Sequence, residues 1–324
     1  MAIDRQKIFK KVPSKMQKLF GNMLFDVEHA LSMYATSYCI IPASGIYDTS
    51  ILEHFKHIIE SCHIYLIGTL PAIDFLKAVQ IDRQLYVTLS ALGRQFELSF
   101  PLPIGVNLRH DKEAYFLEDL KGNRSWINEL EMIRRLNVES NLHNFKVKYI
   151  GQSYGRDGSR NAIDRLLRHE TLQKISLRGI PEGFCLSILL LEIQVNNQIF
   201  TVFNPHAQNK DDDGVRIRAG IDKLFGTNEH ERITLYEASL IRYFSPEYNI
   251  EFKNSFPSTN LKVLKDCYKK DFFAVVAEIC IDDLPFRIYS ESVEPAIHHF
   301  AKHDLHDDIK RKAFFFGNDK SMGA

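Results

Sequence analysis

FKVKYIGQSYGRDGSRNAIDRLLRH, residues 145–169, passes from strand to glycine-rich turn to basic helix within one short run, and it organises the rest of the chain. Val147 and Tyr149 alternate with Lys146 and Lys148 as a half-buried strand requires, and Gly151, Gly155 and Gly158 then break that period. From Asn161 to Glu170 a different repeat takes over. Ile163, Leu166 and Leu167 fall on one side and Asp164, Arg165, Arg168 and His169 elsewhere, the pattern of an amphipathic helix. On such a helix Arg165 and His169, four apart, share a face and point at one ligand. Lys146, Lys148, Arg156, Arg160, Arg165, Arg168, Lys174 and Arg178 outnumber Asp157, Asp164 and Glu170 in this region. On a chain whose formal net charge is +0, that local excess suits an anionic substrate. A solvated basic helix after a tight turn is the plainer alternative.

Tyr149-Ile150-Gly151, followed by Arg165 and His169, resembles the second half of the GIY-YIG nuclease motif: a Tyr-Ile-Gly strand, then a helix with an arginine and, one turn on, a histidine. A second block, EASLIRYFSPEYN from Glu237 to Asn249, is similar to the later helix of that family, which carries a metal-binding glutamate and runs into a proline and a buried asparagine. The resemblance spans Phe145 to Phe252 and keeps the order Tyr, Arg, His, Glu, Asn. It implies a metal-dependent endonuclease that hydrolyses phosphodiester bonds in DNA in preference to RNA, in restriction, phage defence or a mobile element. By the same resemblance Tyr149, Arg165, His169, Glu237 and Asn249 are catalytic positions, and Glu237 holds a single Mg²⁺ or Mn²⁺. Lys146, Lys148, Arg156, Arg160, Arg168 and Lys174 are the expected contacts to nucleic acid.

In the family a Gly-Ile-Tyr strand lies shortly before Tyr-Ile-Gly and its tyrosine contributes to the site. Here that place is taken by Asn137 to Asn144, polar and loop-like, so the first strand is not found. Gly45-Ile46-Tyr47 spells the letters far upstream, before Asp48 and a predicted helix, and reads as coincidence. Tyr115, in the apolar run Ala114 to Leu117, is the stand-in, with a helix from Ser125 to Leu136 inserted into the hairpin. Arg165 offers a planar fork for a phosphate oxygen, Tyr149 with Tyr115 or His169 positions or deprotonates water, and Asn249 orients its neighbours. The alternative is a catalytically degenerate nucleic-acid-binding or assembly module. Neutral whole-chain charge favours that alternative, because an autonomous DNA binder usually carries a positive excess.

A chain of 324 residues with 45% hydrophobic and 25% charged residues is long enough for several cores. The expected division is 1–141, a helical or α+β part; 142–253, the nuclease-like domain; and 254–324, a hairpin plus helix. The flanking parts would supply specificity, a protein partner or a homo-oligomer contact. The fold class expected is α+β: a central mixed or antiparallel sheet flanked by helices, with an α/β N-terminal part and a small α+β C-terminal part. The longest apolar run, Phe184 to Ile193, is too short and too interrupted to span a membrane. MAIDRQKIFKKV at the start lacks the apolar core of a secretory signal, and five scattered cysteines, Cys39, Cys62, Cys185, Cys267 and Cys280, read as reduced thiols of a cytoplasmic protein.

Along the chain, periodicity predicts helices at Asp4 to Phe20, Met23 to Tyr34, Ile51 to Ile59, Pro71 to Val79 and Trp126 to Leu136, the last with Ser125 as N-cap. His63 to Ile67 predicts a buried strand, and Leu85 to Leu89 with Phe96 to Phe100 a hairpin. Phe184 to Val195 and Gln198 to Phe203 predict a second hairpin turning at Asn196-Asn197. Val215 to Phe225 predicts a helix, and Thr234 is the expected N-cap of the Glu237 helix. A last hairpin, Phe272 to Ile281 with Phe286 to Tyr289, precedes a surface helix from Val293 to Phe300. The spacing of His298, His299, His303 and His306 could put three imidazoles on one helical face but fits no familiar zinc pattern and reads as a surface helix, and Asp211 to Gly214 reads as a solvated turn.

Overall fold

The computed structural model describes residues 25–112, 114–154, 162–194, 197–203, 207, 209–257 and 261–306. The helix expected at Asp4 to Phe20, together with Gly155, Arg156, Gly158, Arg160 and Asn196, lies outside the described residues. The architecture is α+β, a curled mixed sheet flanked by helices. Its first strand, β1 (Val27–Pro42), runs through the segment expected to be a helix. The reason is burial: Val27 to Met33 are covered on both faces, which erases the period that separates strand from helix. Tyr34, Thr36, Tyr38 and the Ile40-Ile41 pair then carry the extended preference on.

After β1 come a 3₁₀ turn (Ala43–Tyr47), short helices α1 (Thr49–His54) and α2 (Lys56–Ile59), and strand β2 (Ile64–Pro71). Gly45-Ile46-Tyr47 forms that turn, with Tyr47 exposed. Next follow β3 (Ile73–Ile81), β4 (Gln84–Ala91), β5 (Arg94–Pro101), β6 (Asn107–His110), β7 (Tyr115–Glu118), β8 (Arg124–Ser125) and helix α3 (Glu129–Ser140). Strand β9 (Asn144–Gln152), helices α4 (Ala162–Leu166) and α5 (Glu170–Arg178), and strands β10 (Phe184–Ile193) and β11 (Gln198–Phe203) come after. The chain continues through α6 (Val215–Gly226), α7 (Glu229–Phe244), α8 (Lys262–Lys269), β12 (Ala274–Cys280), β13 (Arg287–Tyr289) and β14 (His298–Asp304).

The central sheet has eight strands in the order β13-β9-β2-β10-β1-β12-β14, with β11 also on β1. It takes β1 and β2 from the first expected domain, β9 to β11 from the second and β12 to β14 from the third, so both expected boundaries fall inside one hydrogen-bonded sheet. Strands β10 and β11 do not pair as a hairpin. Both run antiparallel to β1, along its second and first halves, so the chain keeps its direction between them instead of reversing at Asn196-Asn197. Likewise β12 lies between β1 and β14 while β13 runs parallel to β9. One face of the sheet buries the large core under α7 and α8, with Leu31, Leu66, Val147, Ile150, Tyr236, Phe244 and Val275. The other buries Tyr65, Ile67, Ile163, Leu166, Ile175 and Leu190 under α2, α4 and α5.

Between β2 and β9 the chain leaves the sheet for a lobe with its own core, Val87, Leu89, Leu98, Phe100, Leu117 and Met132 among it, against which Trp126 packs. Ile73–Ile81, expected to be part of a helix, forms the strand β3, held by antiparallel pairing with β4 from Ile73↔Ala91 to Ile81↔Gln84, with Ala78 its one buried residue. Helix α3 begins later than expected, with Asn128 and not Ser125 accepting the Glu131 N–H. At the other end, β14 replaces the predicted surface helix by pairing with β12 along its whole length. Its alternation sends His299 and His303 inward to the carbonyls of Ile288 and Ser239, and His298 outward to Glu278. All five cysteines are free, and no helix of the described residues is long and apolar enough to cross a membrane.

Candidate active site

Strands β2 and β9 are antiparallel neighbours, with Tyr65 opposite Gly151 and Ile67 opposite Tyr149. Between Ile67 and Gly68 the register shifts and Lys148 is left unopposed, a bulge that re-aims the strand. The rings of Tyr65 and Tyr149 then lie on one face, 6.3 Å between centroids. Gly151 is required there: a Cβ on it would stand 2.5 Å from the Tyr65 hydroxyl oxygen. Tyr65 is fully buried, Tyr149 half-buried.

Arg165, in the last turn of α4, donates from Nε to the Tyr65 hydroxyl at 3.2 Å. The helix expected to carry both Arg165 and His169 breaks after Leu166. His169 instead N-caps α5, its Nδ1 accepting the Leu172 N–H at 3.1 Å. The two side chains therefore meet through the tyrosines and not by helical stacking: the His169 ring stands 5.6 Å from that of Tyr65 and 5.0 Å from that of Tyr149. Burial, reinforced by the Arg165 charge, holds the His169 imidazole down to about 4. A neutral ring whose Nδ1 accepts carries its proton on Nε2.

Glu237 sits mid-way along α7, only 8% exposed. The helix starts earlier than expected: Asn228, in a capping box with Glu231, is the N-cap, and Thr234 lies inside. Burial pushes the Glu237 carboxyl up to about 8; Arg165 and hydrogen bonds from Gln152 pull it down, and Glu251 pushes the same way as burial. Tyr149 is raised too, by burial first and then by Glu237. The Glu237 and Arg165 charges act on each other although α7 and α4 lie on opposite faces of the sheet, and β13 covers β9 only from Asn144 to Lys146. Beyond it Asn249 stands in for a strand, its Oδ1 accepting the Ile150 N–H and its Nδ2 donating to the Ile150 carbonyl, both at 2.9 Å. Tyr149, Arg165, Arg168, His169 and Thr171 line a cleft of about 650 Å³.

Tyr115 takes no part. It lies on β7 in the lobe, its ring 4.4 Å from His110 and 5.4 Å from Phe75. The residue missed was Tyr65, and its signal was the apolar HIYLI strand ending at Gly68. Lys146 is ion-paired with Glu291, and Lys148, largely buried, with Glu247 at 2.8 Å, so neither is presented to a phosphate as expected. Lys174 lies over the Tyr248 ring, 5.6 Å from its centroid, while Arg168 is exposed at the cleft. Among the described residues no three His, Cys, Asp or Glu side chains cluster as a metal site, which leaves Glu237 with Glu251 nearby. Comparison with protein-family models, with curated proteins and with solved structures finds no match to this chain.

Proposed function

We propose that the protein is a divalent-metal-dependent endonuclease of the GIY-YIG type, acting on phosphodiester bonds in DNA. The observation that carries this is the meeting of Tyr65, Tyr149, Arg165 and His169, from separate parts of the chain, with Tyr149, Arg165 and His169 lining one cleft and the buried Glu237 carboxyl feeling the charge of Arg165. A hard cation such as Mg²⁺ binds through one or two carboxylates and keeps several waters. Glu237 would hold it, with Glu251 close by. When bound, such an ion supplies positive charge for the transition state and acidifies water.

The protein's own groups divide the remaining work. Arg165 gives Nε to Tyr65 and keeps its terminal N–H groups for non-bridging phosphate oxygens. Neutral His169 offers an Nε2–H toward the cleft, where it can donate to a phosphate or leaving oxygen without adding charge. Tyr149 is held as a phenol by burial, so its hydroxyl orients water by accepting and donating hydrogen bonds. Asn249 fixes the strand on which Tyr149 stands.

Supercoiled plasmid incubated with Mg²⁺ tests the reading. Nicking by the wild type, lost in Glu237→Gln while DNA binding in EDTA persists, supports it. Equal inactivity of the two with binding retained gives the degenerate binding module instead. Absence of both cleavage and binding overturns a nucleic-acid role.

A further inference from the structure

Helix α6 is built inside out. Its long cations face the protein: Arg216 bonds the Val27 carbonyl at 2.6 Å and pairs with Glu28 and Asp271, and Lys223, 2% exposed, bonds the Val263 carbonyl and Asp266. Gly220 sets the helix flush against β1, where a Cβ would stand 2.9 Å from the His29 ring. The side left outward carries Ile217, Ile221 and Phe225, one turn apart, at 40%, 52% and 82% exposure. Phe203, the last residue of β11, is 64% exposed. Together with Leu224, the residues Phe203, Ile217 and Ile221 line a groove of about 370 Å³ beside His29. A surface helix ordinarily turns its apolar stripe to a core, and an apolar patch left outward marks a docking surface.

The course of the chain and its charge say what covers this one. The described residues begin at Phe25, whose ring lies 4.0 Å from the Arg216 guanidinium, and Val27 stands opposite Phe203 in the sheet. The residues before Phe25 therefore set out from the rim of the groove. Of the helix expected over Asp4 to Phe20, the part nearest this point opens at Pro13, a residue suited to a first helical turn, and stops at Gly21. Met16, Leu19 and Phe20 form its apolar stripe, with Lys15 and Lys18 turned away from it. Pro13 to Phe20 as a helix is about 12 Å long, the length of α6 from Ile217 to Leu224, and the connector Gly21 to Leu24 spans up to about 14 Å. Before Phe25 the chain carries Arg5, Lys7, Lys10, Lys11, Lys15 and Lys18 against Asp4 alone. From Asp211 to Gly226 the exposed charges are Asp212, Asp213 and Asp222 against Arg218. The chain after His306 also leaves near Arg216, since both residues pair with Asp271, but its apolar residues are the contiguous run Phe314 to Phe316, which makes no helical stripe.

We propose that the groove between β11 and α6 is the docking site of this chain's own N-terminal segment. Met16, Leu19 and Phe20 seat on Phe203, Ile217 and Ile221, and the lysines lie over the aspartates at the rim. The segment completes the fold by supplying the cover that α6 lacks, independently of the chemistry at the cleft.

The experiment uses the full chain with photoreactive benzoylphenylalanine in place of the exposed Ile221, irradiated as an equal mixture of ¹⁵N-labelled and unlabelled protein and mapped by peptide mass spectrometry. The expected product joins position 221 to a residue between Pro13 and Phe20 of the same chain, and it should be lost when Met16→Asp and Phe20→Asp are introduced together. A crosslink to the segment of a second copy, to residues 307–324, or to neither terminus overturns the proposal. Amide exchange gives an independent reading: Ile217→Asp with Ile221→Asp should speed exchange in the peptide spanning Pro13 to Leu24 and leave peptides of β1 and β12 unchanged. Equal exchange in wild type and variant overturns the proposal as well.

Discussion

At one end of the β2–β9 pair, Tyr65 and Tyr149 lie against Arg165 and His169; at the other, beyond Pro71 and Asn144, the chain departs into the lobe of β3 to β8 and α3. The lobe keeps charge at its surface, in exposed pairs such as Arg109 with Glu118 and Arg135 with Glu131, each worth roughly 0–1 kcal/mol. Its interior is apolar. The site end does the reverse, burying a carboxyl pushed up to about 8 and an imidazole held down to about 4 within one cluster of rings. Burial of that kind opposes stability, and groups so displaced concentrate where chemistry is done. The contrast separates a lobe with an apolar interior from a cleft end that buries titratable groups, and four experiments act on it.

The largest split is expected between two substitutions that each remove one hydroxyl. Tyr65→Phe takes away the acceptor of Arg165 and should slow plasmid nicking by about 10²-fold or more, the low end for a residue engaged in proton traffic or its positioning. Tyr115→Phe, in the lobe, should leave the rate within about twofold, as surface-type changes away from the reacting groups do. Equal losses in the two would erase the comparison.

Two glycines give the next contrast. Gly151→Ala drives a Cβ to 2.5 Å from the Tyr65 hydroxyl and should cost about 1–3 kcal/mol, the range for overpacking a full core. Gly93→Ala in the lobe meets open space, and only its left-handed backbone, φ +73, is penalised, by about 1 kcal/mol. Urea unfolding midpoints of the two variants rank the effects.

The pH dependence of stability sharpens the same point. Glu237 binds its proton more tightly folded than unfolded, about 8 against an ordinary 4.5, so its contribution is complete below pH 4.5 and is lost as pH rises toward 8. His169 has the opposite sign: held at about 4 against 6.5, it contributes above pH 6.5 and its contribution is lost as pH falls toward 4. In EDTA, Glu237→Gln should flatten the decline of the thermal midpoint between about pH 5 and 8, by a few degrees, and leave the acid-side decline unchanged. A decline of undiminished slope in the variant would show that Glu237 is not the group responsible.

The smallest effect concerns binding. Arg168→Ala should weaken DNA binding and lower the salt slope by about 1, as loss of one phosphate contact does. Lys146→Ala, whose ammonium is already engaged by Glu291, should leave the slope where it was. Titration at several salt concentrations distinguishes them.

Much of the site end was legible because its signals are local. The strand through Tyr149, the arginine and histidine just after it, and the helix of Glu237 each follow from residues within a turn or two of one another. What misled was partnership. Met23 to Tyr34 looked helical because a strand buried on both faces has no telling period. The Gln198–Phe203 strand looked like the return arm of a hairpin because two apolar runs around a turn pair are read that way, whereas both arms lie along the unusually long β1. His299 and His303 looked like a helical face because spacing alone does not show the pairing of β14 with β12.

By itself the sequence determined the order of the candidate groups from Tyr149 to Asn249, and that Tyr149 stands on a strand and Arg165 and Glu237 on helices, since helix, turn and strand preferences act over a few residues. Only the tertiary structure decided that Tyr65, and not the nearer Tyr115, lies beside them, and that Lys146 and Lys148 are spent on carboxylates. The reason is that strand pairing is nearly indifferent to the length of chain between its members: each doubling of a loop costs about 0.6 kcal/mol. A whole lobe with a core of its own therefore sits between neighbouring strands, and the tyrosine it separates from its partner is found by the sheet alone.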